Sequence, residues 1–203
     1  MSQDSKSDPK EERRRQILKG AKRLFIKGEF RDILLDDVAR EAGVAKGTLY
    51  LYFKSKEDLL TGVMEDLEEQ LDRMVKESGL DRLPRLEKFR ALISVHLRFV
   101  ELNRDFIFRY CEPLNLERST GRAGAIERFI RHIRWVAGMI EDSVRTGELP
   151  PQDSFYSAVS LFSLVRGAFV ERHLLGGDWP LESRTDKIYA QFMKGVLGQG
   201  GTS

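Results

Sequence analysis

Gly43-Val44-Ala45-Lys46-Gly47-Thr48-Leu49-Tyr50-Leu51-Tyr52-Phe53-Lys54-Ser55-Lys56-Glu57-Asp58-Leu59-Leu60 is the stretch that decides the fold. It reads as the turn, the second helix and the next helix start of a helix-turn-helix. Gly43 follows an apolar-periodic run (Leu35, Val38, Ala39, Ala42) and can take the left-handed conformation that a tight interhelical turn requires, while Val44 can fill the angle between the helices. A short helix then begins near Ala45. Leu49 and Phe53, four apart, face inward, which leaves Lys46, Gly47, Thr48, Tyr50 and Tyr52 for the outer faces. That outer set suits duplex DNA: a lysine for charge, a glycine for close backbone approach, a threonine for base edges or a thymine methyl, and tyrosine hydroxyls for phosphate oxygens.

Working outward, Ser55 and Asp58 form a capping box, so the next helix starts at Lys56 and runs to about Glu77. Lys56 then stands at a helix N-terminus, where its ammonium can meet a phosphate. Upstream, Ile17, Leu18, Ala21, Leu24 and Phe25 mark the buried face of a helix ending at Gly28, preceded by Arg13, Arg14 and Arg15. Residues 1–10 hold no apolar residue after Met1 and are expected to be a disordered tail.

The run from Ile17-Leu18 through Phe25, Gly28 and Phe30 to Val38-Ala39-Arg40-Glu41-Ala42-Gly43-Val44-Ala45-Lys46-Gly47-Thr48-Leu49-Tyr50, Tyr52-Phe53-Lys54-Ser55-Lys56-Glu57-Asp58-Leu59-Leu60 resembles the DNA-binding domain of the TetR family of bacterial regulators. The resemblance is dense over the first quarter of the chain and thereafter extends only to length and helical pattern. It implies an all-α fold: a three-helix helix-turn-helix domain over residues 11–56, then a six-helix ligand-binding and dimerisation domain over 57–203. Two positions depart from the family pattern. Ile33 and Leu34 stand where a Thr followed by Ser or Thr would cap the second helix and bond a phosphate, and Ala45 replaces a frequent Ser.

Composition agrees with that division. The 203 residues carry a net charge of +2, with 41% hydrophobic and 33% charged residues. Residues 1–56 hold 14 Lys and Arg against 9 Asp and Glu, whereas residues 57–203 hold 20 against 23, so the positive surplus sits with the helix-turn-helix. No apolar run approaches the roughly 20 residues of a membrane span and no signal-peptide core is present, so a cytoplasmic location is expected. The single cysteine, Cys111, excludes an internal disulfide and reads as a small buried hydrophobe, with a redox sensor as the alternative.

Beyond residue 77, Pro84 opens a helix whose face (Leu86, Phe89, Leu92, Ile93, Leu97, Val100) is interrupted by His96. A short enclosed helix is expected over 104–111, a long one over 117–146, and two more over 154–175 and 181–197. The helix over 154–175 is apolar on two sides, one for the protomer and one for a second copy, with Leu164 or Ala168 expected to face the partner. The resemblance implies that these last two helices form a homodimer. Two recognition helices about 34–36 Å apart can then enter successive major grooves of a palindromic operator.

His96, Phe106, Tyr110, Trp135, Met139, Phe162 and Arg166 are the candidates for an apolar cavity that admits a small hydrophobic or amphipathic effector. The competing reading is a filled core in a helical DNA-binding or scaffold protein without a ligand. Catalysis finds no motif: the three histidines are far apart in sequence, no Gly-rich phosphate loop follows a strand, and no nucleophile elbow occurs. No cofactor or metal is expected. The function expected is a ligand-released transcriptional repressor.

Overall fold

The structure is a computed structural model that describes residues 8–111 and 122–198. The side chains of Cys111 and of residues 122–126 lie outside that description, and so do the expected tail over residues 1–7 and the expected helix start near Glu117. Every regular element among the described residues is helical: α1 (Pro9–Lys27), α2 (Leu35–Ala42), α3 (Lys46–Tyr52), α4 (Lys56–Glu77), α5 (Arg85–Phe106), α6 (Arg122–Arg145), α7 (Ser154–Leu175) and α8 (Thr185–Leu197), with short 3-10 turns between several of them.

The chain divides into two compact units, residues 1–69 with 105–125 and residues 70–104 with 126–203. The first unit thus extends past the boundary expected at residue 56. Its helices start and stop for local reasons. Asp8 accepts a hydrogen bond from the Lys10 N–H and Pro9 occupies the first turn, so α1 begins inside the stretch expected to be a tail. Gly43 ends α2 at φ 66°, a left-handed residue whose neighbour Val44 donates its N–H back to the Ala39 carbonyl. Neither Leu34 before α2 nor Ala45 before α3 makes a side-chain cap, as the two departures from the family pattern imply. Ser55 Oγ accepts the Asp58 N–H, while Asp58 turns back to accept the Lys54 N–H. The core of this unit is Ile17, Leu18, Ala21 and Phe25 of α1, Val38, Ala39 and Ala42 of α2, Leu49 of α3, Phe53, and Leu59, Leu60 and Val63 of α4.

In the second unit the buried faces recur at helical spacing. Phe89, Leu92, Ile93 and Leu97 of α5 meet Ile133, Val136 and Ile140 of α6, Ala158, Leu161, Val165 and Ala168 of α7, and Ile188, Phe192 and Val196 of α8. Asp153 caps α7 by accepting the Tyr156 N–H. Arg172 of α7 donates to the Glu101 carboxylate, which also accepts the Leu181 N–H and is held below the usual carboxylate range despite the opposing effect of burial.

The separate helix expected over 104–111 does not occur: no Gly or Pro interrupts the chain there, so α5 runs on to Phe106 and passes into a π-helical turn, Ile107–Cys111. Ala168, expected to face a partner, is 5% exposed and packed in its own protomer's core, and Leu164 packs against the same cluster. The exposed apolar residues of α7 are Phe155, Tyr156, Val170, Leu174 and Leu175.

Candidate nucleic-acid interface and effector site

The α3 helix is short and buries one side only. Leu49 is fully buried and fixes the helix, whereas Lys46, Gly47, Tyr50 and Leu51 are exposed and Thr48 and Tyr52 are half-buried. The outer face inferred from sequence is therefore present, with Leu51 as an addition that the sequence reading left unassigned. A Cβ placed on Gly47 would meet nothing within 4 Å, so this side of the helix lies open.

Lys46 is not loose. Its ammonium donates to Asp36 of α2 at 2.7 Å, and that hydrogen bond and charge raise its pKa above the usual lysine value. The aspartate holds the lysine across the helix-turn-helix and partly offsets its charge. Replacing Asp36 with Asn is expected to free that charge, raising affinity for all duplexes and steepening the log–log salt dependence by about one. Polarisation titrations of a labelled duplex at several KCl concentrations check this; an unchanged slope would contradict it.

Lys56 has a different position from the one expected. Its ammonium lies within hydrogen-bonding distance of the carbonyls of Phe30 (2.9 Å), Arg31 (2.7 Å) and Ile33 (3.4 Å) and over the Phe30 ring at 5.1 Å. The ammonium, with its three donors, thus clamps the turn before α2. Nearby, Phe106 and Tyr110 stack with ring centroids 4.9 Å apart, Tyr110 lies 5.9 Å from Phe25, and its hydroxyl donates to the Phe25 carbonyl. Arg109 donates to the Gly28 carbonyl. Phe106 and Tyr110, expected beside His96, thus serve the core of the first unit.

In the second unit the structure brings His96, Trp135 and Phe162 into one cluster and adds His132 and Phe129. His96 is buried; its Nδ1 lies 2.7 Å from the Leu92 carbonyl and its Nε2 lies 2.8 Å from His132 Nε2. A carbonyl only accepts, so Nδ1 of His96 carries the proton, its Nε2 accepts, and His132 Nε2–H donates. Phe162 lies 5.1 Å from His96, 5.5 Å from His132 and 5.7 Å from Phe129, and Trp135 lies 5.5 Å from His132. Burial first, and then the neighbouring His132, push the His96 pKa down to about 3; burial also lowers that of His132, against the pull of Asp72. Both rings are therefore neutral at pH 7. Met139 packs half-buried against the core and Arg166 is exposed. His132 escapes a sequence reading that weighs histidines by chain separation, although its spacing of three from both Phe129 and Trp135 puts it on their side of α6.

No helix among the described residues is long and apolar enough to cross a membrane, and no group of three or more His, Cys, Asp or Glu side chains among them could hold a metal ion.

Among the described residues, an all-helical architecture in which a left-handed glycine joins two short helices, the second presenting an open face, is that of the helix-turn-helix class. Comparison with known proteins narrows this. Residues 17–63 match the family described as bacterial regulatory proteins, tetR family. Over 188 residues the chain is 36% identical to the HTH-type transcriptional regulator HbdR of Aromatoleum sp. (strain CIB), covering 83% of this chain and 77% of that protein. It is 27% identical over 136 residues to the fatty acid metabolism regulator protein of Bacillus subtilis, 66% of this chain and 69% of that one. Among solved structures, the regulator FadR of Bacillus subtilis in complex with stearoyl-CoA superposes with a TM-score of 0.75 at 20% identity over 90% of this chain and 98% of that one, which shows a shared fold. The chain belongs to the TetR family of bacterial transcriptional regulators, and is a DNA-binding regulator rather than an enzyme.

Proposed function

We propose that the protein is a homodimeric repressor, released from a palindromic operator by a small hydrophobic or amphipathic effector that binds in the second unit. The observation that carries this reading is the His96–His132 pair set among Phe129, Trp135 and Phe162. The pair is hydrogen-bonded, Phe129 and Trp135 beside it are 51% and 42% exposed, and it supplies the few directional groups by which an apolar site orients a ligand. Met139 and Arg166 remain candidates at its margin. Relatives add a class of ligand: one is a fatty acid metabolism regulator and another binds stearoyl-CoA, so long-chain acyl compounds are the first effectors to try. The exposed apolar residues of α7 support pairing with a second copy. Effector binding would then shift the population toward a dimer whose two recognition helices no longer match successive major grooves.

The test uses operator duplex recovered by selection on the full chain. Stearoyl-CoA, free long-chain fatty acids and uncharged aromatic compounds are titrated into the complex. At least one is expected to dissociate it, with Phe162→Ala moving the midpoint about tenfold while operator affinity holds. If Phe162→Ala simply unfolds, the cluster is filled core and the regulator has no effector there. A wild-type monomer at micromolar concentration in sedimentation would remove the dimer.

A further inference from the structure

Among the described residues Leu51 is the most exposed of the large hydrophobic residues, at 83% of its surface, and it sits on α3, the second helix of the helix-turn-helix. Leaving a leucine in water forgoes the burial that its side chain normally supplies, and nothing in the protomer covers it. It shares its side of α3 with Gly47, four residues earlier, where an added Cβ would meet nothing within 4 Å. At Gly47, one turn before Leu51, no side chain would hold a groove floor away. Lys46, Thr48 and Tyr50 offer polar groups on the same helix, whereas the strip from Gly47 to Leu51 offers none.

We propose that Leu51 is a specificity-determining residue of the recognition helix that reads a thymine through its 5-methyl group. Among the base edges displayed in the major groove, the thymine methyl is the one apolar feature, and a side chain with neither donor nor acceptor can distinguish nothing else there. An adenine, guanine or cytosine at the same step would leave Leu51 against hydrogen-bonding groups stripped of water, so discrimination has both an attractive and a repulsive part. The inference rests on α3 being the helix that enters the groove.

The experiment removes the methyl alone. Duplex sites are selected from a random pool with the full chain, and each thymine of the half-site is replaced in turn by deoxyuridine, in both halves together. At one thymine the wild type is expected to lose about tenfold in affinity, because a methyl contact disappears from each half-site. Leu51→Ala should bind the thymine and uracil duplexes alike and lose enrichment for thymine at that step. Leu51→Gln should move the preference toward adenine. The exposure of Leu51 makes each variant safe to fold, and circular dichroism confirms it. Uracil tolerated at every position, an equal loss in Leu51→Ala, or a selected half-site without thymine would each overturn the inference. Absence of any selected site would instead overturn the assignment of α3 to the groove.

Discussion

Gly20→Val is expected to abolish specific DNA binding by dismantling the first unit, although residue 20 is buried inside that unit. A Cβ at Gly20 would lie 2.9 Å from the Ala42 Cβ and 3.0 Å from the Ala42 Cα and nitrogen. Those atoms are backbone or fixed to it, so no side-chain rotation relieves the clash, and α1 must move away from the end of α2. Overpacking of this kind costs about 1–3 kcal/mol, and here the displaced segment also positions Gly43 and α3. Urea unfolding should show a lower midpoint, and binding should fall more than stability alone requires. Gly47→Ala is the contrast: an added Cβ meets open space in a helix, where Ala is favoured over Gly by about 0.5–1 kcal/mol. It should leave folding intact or improved. Equal unfolding midpoints for wild type and Gly20→Val would contradict the close α1–α2 packing.

Acid should destabilise the second unit well before general acid unfolding. His96 has a pKa near 3 in the folded chain against an ordinary value of about 6.5 when unfolded. Below pH 6.5 the unfolded state therefore binds a proton that the folded state refuses, and stability falls as pH falls through the interval down to about 3. The slope is about 1.4 kcal/mol per pH unit for one such ring, or roughly 2 kcal/mol between pH 6.5 and pH 5, and the lowered His132 adds to it. His96→Gln removes the titrating ring and should flatten the acid limb of a plot of unfolding free energy against pH. A wild type equally stable at pH 7 and pH 5, or a His96→Gln protein with an undiminished slope, would show that the ring is not held neutral by burial.

The first unit was largely legible because its signals are local. Gly43 in the left-handed turn, the inward pair Leu49 and Phe53, and the Ser55–Asp58 box each act within a few residues, and each occurs where the sequence places it. What was missed depends on contacts across the chain. Lys56 at a helix start suggests a phosphate contact, but its ammonium goes to carbonyls of residues 30–33. Gly20 breaks no pattern in α1, and only the approach of Ala42 explains it. In the second unit, periodicity gave the helices and the buried sides of α5 and α7, yet it could not tell which of the two apolar sides of α7 faces the protomer. Ala168 lies on the side that faces its own protomer, not a partner. Phe106 and Tyr110 belong with Phe25 for a similar reason: with no Gly or Pro to end it, α5 carries them into the first unit, whereas His96 pairs with a histidine 36 residues away.

The central claim is that a dimer of this chain reads DNA through α3, and selection of duplexes from a random pool with the full chain tests it most directly. The account predicts enrichment of an inverted repeat whose half-site centres lie one helical turn, or a multiple of one, apart, and loss of that enrichment when the exposed Tyr50 is replaced by Asp. No enrichment, or the same inverted repeat recovered by Tyr50→Asp, would contradict it.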